Sequence, residues 1–214
     1  MIWANDDDIP ELFQRKSPPA VQVTPGRYPY VHDGDQSAVT LINPDMHQGP
    51  WIAGGAPLHW EMGKSVELHH DIDVWFRDQE QFDQTMIRVR EHATIICQTS
   101  NAHTYQYYQD AFGTRTIQLI CANFFDSAQA IIDHFDFSVC QIVTDGVQVL
   151  YGEHTRADIA NQRLRITQPR PNAAKRISKY LAYGFKMSLD ELQAQFSAID
   201  DWVFTHEDYE AVKL

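Results

Sequence analysis

The stretch GGAPLHWEMGKSVELHHDIDVWF, Gly54 to Phe76, decides how the rest of this 214-residue chain is read. A glycine pair follows the apolar run Trp51-Ile52-Ala53, and the stretch closes on DIDVWF, where β-branched and aromatic residues recur at period two. Side chains two apart on a strand share a face, so Asp71 and Asp73 project together. Two carboxylates on one face repel unless a cation sits between them or one keeps a proton. Mg2+, or Mn2+ in its place, suits such a pair, because a hard cation takes carboxylate oxygens together with substrate phosphates. Gly54-Gly55, between a strand and a helix with Pro57 near its start, lets backbone amides approach a phosphate closely. The neighbouring His69-His70-Asp71 leaves open a histidine-aspartate metal phosphohydrolase, but that doublet runs into a strand rather than lying on a helix.

Outward from this stretch, the pattern is of strands and helices in one α+β unit. The spacing of Phe82, Met86, Ile87 and Val89 predicts a helix, and ATIICQTS and TRTIQLICANF read as strands flanking an exposed strand or hairpin. DSAQAIIDH predicts a helix capped by Asp126 or Ser127. FDFSVCQIV, residues 135–143, reads as a further strand, and the Asp145-Gly146 turn joins it to VQVLYG. Asp136 opens that strand and is the candidate third acid, since a third carboxylate on a neighbouring strand would complete a two-metal phosphoryl-transfer site. RPNAAKRISKYLAYGF, SLDELQAQFSAI and THEDYEAVKL predict a helical tail. The expected organisation is a Pro-, Asp- and Gln-rich extension over residues 1–50, of extended chain and turns with one short helix at PELFQR (10–15), then a mixed-sheet core over 51–155, and a helical segment over 156–214 that is basic and then acidic.

Hydrophobic residues at 43% and charged residues at 21% describe an ordinary globular chain with room for a rigid site. No apolar run is long enough to span a bilayer, and the acidic start is unlike a basic leader, so a cytoplasmic protein is expected. Cys97, Cys121 and Cys140 sit in apolar surroundings and read as buried free thiols. The net charge of -12 is uneven: residues 156–186 hold eight Lys and Arg against Asp158 alone. Such a segment either meets a phosphate-bearing partner or pairs with acids elsewhere in the chain.

Taken together, these residues resemble the nucleotidyltransferase superfamily of the DNA polymerase β type. The match is strongest to the head domain of bacterial-type CCA-adding enzymes and poly(A) polymerases. Their first motif, approximately GGxVRDxLLGR followed by DID, is matched by GGAPLHWEMGK and DIDVWF through Gly54, Gly55, Gly63, Lys64, Asp71 and Asp73. Their RRDFTINA is echoed by HFDFSVCQ through Asp136 and Phe137, and RILRAVRFAARLGF by KRISKYLAYGF through Arg176, Ile177, Gly184 and Phe185. Leu58-His59 and His134-Phe135 depart from the motifs, and 214 residues leave no room for the large RNA-binding body of the CCA-adding enzymes.

The resemblance implies metal-dependent transfer of an NMP, AMP above the others, from an NTP to a hydroxyl acceptor on RNA (tRNA-like), on a protein or on a small molecule. Asp71, Asp73 and Asp136 would hold Mg2+, Gly54 and Gly55 the triphosphate, and Lys64, Arg176 and Lys179 the nucleotide or acceptor. A nucleotidyltransferase-like fold kept only as a binding or assembly module is the alternative from another class.

Overall fold

The computed structural model describes residues 24–25, 31, 33–64, 66, 70–109, 113–168, 170 and 173–193. Eight strands form one sheet: β1 (Thr24–Pro25), β2 (Trp51–Ala53), β3 (Asp71–Phe76), β4 (Ala93–Gln98), β5 (Ala102–Gln109), β6 (Gly113–Phe124), β7 (Ile142–Thr144) and β8 (Gln148–Tyr151). Their order is β1-β8-β7-β2-β3-β6-β5-β4. Every pairing is antiparallel except that of β3 with β6, so the sheet is mixed, as expected. The helices are α1 (Asp33–Ile42), α2 (Gly55–Glu61), α3 (Gln79–Arg90), α4 (Ala128–His134), α5 (Thr155–Ala160) and α6 (Ala173–Ala182).

Period two in β3 divides its residues cleanly. Ile72, Val74 and Phe76 are fully buried, while Asp71, Asp73 and Trp75 face the other side and keep partial exposure. Burying each of the apolar three is worth about 1.5–3 kcal/mol, which fixes the register and with it the face that carries the acids. Helix α3 packs on the apolar face, the Phe82 ring lying 5.3 Å from that of Phe76. Asp78 caps it by accepting from Gln81 N at 2.8 Å, and Phe82, Thr85 and Val89 form its buried stripe. Ser127 does the same for α4, accepting from Ala130 N at 3.2 Å.

The same apolar side holds a buried ion pair. Asp35 on α1, fully buried, accepts from Arg115 Nε on β6 at 2.6 Å, from Trp60 Nε1 on α2 at 3.0 Å and from Val66 N at 3.2 Å. One carboxylate thus joins two helices, the sheet and the connection that leads into β3.

Three expectations change. Residues 1–50 are not all turns and extended chain, because α1 lies among them with Ala38, Val39 and Ile42 in the core and β1 adds to the sheet edge. Residues 135–143 are not one strand: Phe137 makes a single bridge to Ile166, residues 138–140 form a 3-10 turn, and β7 begins only at Ile142. Of the three free thiols only Cys140 is buried; Cys121 is partly so, and Cys97 is exposed on the edge strand β4. The helix predicted at residues 10–15 and the tail beyond residue 193 lie outside the described residues. Among those described, no helix is long and apolar enough to cross a membrane.

Candidate active site

The acid pair sits where three elements meet. Gly54 ends β2 and starts α2 with φ at 86°, a region open to glycine, and a Cβ there would lie 3.4 Å from the Phe135 ring and 3.7 Å from Asp73 Oδ2. The chain therefore passes directly against the Asp73 carboxylate because no side chain intervenes. At Gly55 a Cβ would meet nothing within 4 Å, so the second glycine borders open space. We expect Gly54→Ala to cost about 1–3 kcal/mol in urea unfolding through backbone strain, and to displace Asp73. A substitution costing under about 0.5 kcal/mol would show that the turn is not held as described.

Burial pushes the Asp73 carboxyl up first, the like charge of Asp71 adds to it, and the result is about 7 in spite of Lys179 and Arg176. Burial raises Asp71 too, with Lys179 and then His70 pulling it back. The pair therefore keeps an unmet demand for positive charge. Helix α6 carries the cations nearest to it: Lys179 and Arg176 both act on Asp73, and the Lys179 ammonium lies 5.8 Å from the Tyr183 ring centroid.

Asp136 is placed differently from the other two acids. It is 1% exposed, and Arg176 Nη1 stands 2.7 Å from its Oδ1 while the guanidinium covers the Phe137 ring at 5.5 Å. Arg176 approaches as a charge, since neither carboxylate oxygen accepts a well-aligned hydrogen bond. Burial still raises the Asp136 carboxyl, Arg176 being the largest opposing influence. Its carbonyl is clamped by Thr167 N at 2.8 Å, and the adjoining Ser138 hydroxyl donates to Asp158 at 2.6 Å.

Among the described residues no three His, Cys, Asp or Glu side chains converge as a cation would need. Asp136 is linked to the pair through Arg176, whose charge acts on Asp73 as well. On the side of β3 away from β2, the β6 residues in register with Asp71 and Asp73 are Thr116 and Gln118. Gln118 Nε2 donates to Asp71 Oδ2 at 3.4 Å and to Thr104 Oγ1 at 3.3 Å.

The departures from the motif have structural roles. Leu58 is a core residue. His59 is buried, its ring 4.3 Å from that of His70 and 5.4 Å from that of Tyr183, and His70 Nε2 lies 2.5 Å from Tyr183 Oη. This cluster ties α2, the entry to β3 and the end of α6 together, so His70 is engaged as a packing and hydrogen-bonding group. His69 lies outside the described residues. Phe135 packs on Trp75 and over Gly54, while Arg170 Nη2 donates to the His134 carbonyl at 2.5 Å. Arg170 was not anticipated from sequence; it brings a guanidinium back to the place where the motif has arginines. Lys64 is exposed in the turn after α2.

A glycine turn beside a strand bearing paired acids, within this mixed sheet, defines the nucleotidyltransferase-like fold. The chain is similar to a CCA-adding enzyme bound to CTP (TM-score 0.60, 12% identity, 83% of this chain and 46% of that one). It is similar also to the Thermotoga maritima CCA-adding enzyme complexed with tRNA (0.55, 12%, 81% and 44%) and to that of Bacillus stearothermophilus with CTP (0.55, 17%, 77% and 43%). It spans less than half the length of these enzymes, and at such identities the likeness is one of fold. Residues 31–162 match the Gabija anti-defense 2 family, and the chain belongs to that family. No curated protein matches it in sequence.

Proposed function

We propose that the protein is a metal-dependent nucleotidyltransferase that moves an NMP, AMP above the others, from an NTP to a hydroxyl acceptor, and that this transfer serves an action against the Gabija defence. The observation that carries it is the Asp71-Asp73 pair, held on one face at a glycine turn with its charge incompletely compensated. A buried carboxyl raised to about 7 beside a second carboxylate is stabilised as an anion by a divalent cation, so the donor set fits Mg2+ or Mn2+. When bound, that ion supplies the charge that neutralises the triphosphate and the oxygens exchanging at phosphorus.

The chain's own residues supply the rest. Gly54 and Gly55 bring backbone amides to the phosphates without steric obstruction, and Lys179 and Arg176 add positive charge beside the acids. Asp136 fixes the Arg176 guanidinium in place and is a positioning residue here. Catalysis then rests on alignment and electrostatics, with no covalent intermediate on the protein.

The test is to incubate the protein with each NTP, labelled at the α- or the γ-phosphate, with Mg2+ or Mn2+ and with EDTA. Supporting results are metal-dependent attachment of α-label but not γ-label to an acceptor, with pyrophosphate released. No transfer of α-label from any NTP would overturn the enzyme. If Asp71→Ala/Asp73→Ala still opposed the Gabija defence, the fold would be acting as a binding or assembly module.

A further inference from the structure

We propose that the acceptor hydroxyl belongs to a protein, presented on an extended segment that lies over the uncharged face of β6, β5 and β4; this rests on the nucleotidyltransferase function above. The first support is what happens to the basic segment. Arg163 is bound to Glu191 at 2.6 Å, Arg165 to Asp158 at 2.8 Å and Arg176 to Asp136 at 2.7 Å. Arg170 donates to the His134 carbonyl, and the Arg156 guanidinium covers the Tyr151 ring at 5.4 Å. Lys179 faces the acid pair. Elsewhere Arg77 meets Asp78, Arg88 donates to the Ile42 carbonyl, Arg90 donates to Tyr105 and Arg115 is buried against Asp35.

Among the described cations, Lys64, Lys175 and Lys186 are left for an outside partner. Beyond the described residues, Arg15, Lys16, Arg27 and Lys213 are outnumbered by acids. A nucleic-acid acceptor draws its affinity from Lys and Arg along its phosphates, and a chain of net charge -12 whose arginines are engaged internally repels it.

The second support is the surface that continues from the acids. Strand register sets two rows on that face. One runs Asp71, Thr116, Gln106, Thr94, and the other Asp73, Gln118, Thr104, Cys97. Past the acids neither row holds a charge. Thr116, Gln118 and Thr104 are half-buried, whereas Gln106, Thr94 and Cys97 are exposed, as is Tyr108 on the same face. This uncharged strip therefore runs outward from the acid pair over about 14 Å, three strand spacings, and grows more exposed along the way. Amide and hydroxyl side chains hydrogen-bond peptide groups and polar side chains without needing countercharge. At the outer end, among the described residues, no strand pairs beyond β4, which exposes Ile96 at its edge, a surface that suits a protein and not a polyanion.

In the transfer, the oxygen of a Ser, Thr or Tyr hydroxyl bonds to the α-phosphorus as the bond to the bridging oxygen breaks. Pyrophosphate leaves, and the hydroxyl proton passes to water.

The experiment uses the full chain, α-labelled ATP and Mg2+. Acceptors are the purified Gabija proteins and an extract of cells making them, with total RNA in a separate arm, and products are digested with protease or with nuclease. Expected is label that protease removes and nuclease does not, absent with Asp71→Asn. Gln106→Arg should raise the acceptor KM at least tenfold, with a smaller effect on kcat. Label in RNA that depends on Asp71 would overturn the protein acceptor while leaving NMP transfer standing. Protein labelling indifferent to Gln106→Arg and Thr94→Arg would overturn this face as the acceptor surface. No label in any arm, or label that survives Asp71→Asn, would remove both.

Discussion

Asp73→Asn is expected to lower nucleotide transfer by about 10^2–10^3-fold while making the folded protein more stable at pH 8. The two effects have one cause. An unfolded Asp73 ionises near 3.8, and in the folded chain burial and the adjacent Asp71 push it up to about 7. Between those values the folded state holds a proton that the unfolded state has lost. The stability this group lends is therefore fully present below about pH 4 and is lost as the pH rises through 7. Asparagine has no such dependence, so the variant gains on the wild type as the pH rises, by on the order of 2–4 kcal/mol at pH 8. Mg2+ acts on the same deficit: it should raise the melting temperature of the wild type at pH 8 more than at pH 5, and do little for the variant. Melts at the two pH values, with and without Mg2+, check this. A variant less stable than the wild type at pH 8 would show that Asp73 is not held as an under-compensated acid.

Asp35→Ala should cost about 3–5 kcal/mol, because Arg115 stays buried at 7% exposure without the carboxylate facing it. Trp60 Nε1 and Val66 N lose their acceptor in the same step. Val66 lies on the way into β3, so the loss falls on the segment that delivers Asp71. The double change Asp35→Ala/Arg115→Met should recover much of the deficit, since an apolar replacement leaves no charge stranded. Urea unfolding of the two single variants and the double one separates these terms. A loss under about 1 kcal/mol for Asp35→Ala would mean that water reaches the pair.

Local pattern carried most of the acid pair. Period two in DIDVWF, bounded by the glycine turn upstream, is enough to place Asp71 and Asp73 on one face, and the core positions 72, 74 and 76 confirm the register. Capping chemistry likewise located the start of α4, and apolar spacing predicted α3. Asp136 was harder to read: FDFSVCQIV has a strand's composition, but whether its first residues pair, bridge or turn depends on Ile166 and Thr167, which arrive some 30 residues later. Helix α1 was missed because its sequence, DGDQSAVTLI, has weak propensity and is held by packing and by Asp35.

What the sequence by itself determined is the chemistry within one strand and its preceding turn: two carboxylates with a shared direction and a glycine approach to them. What only the tertiary structure decided is the company these groups keep. Gln118 stands beside Asp71; Arg176 is bound by Asp136; and the basic run from Arg156 to Lys186 is largely paired within the fold. Charge in a sequence records how many cations exist, whereas their availability to a partner depends on which acids fold back against them.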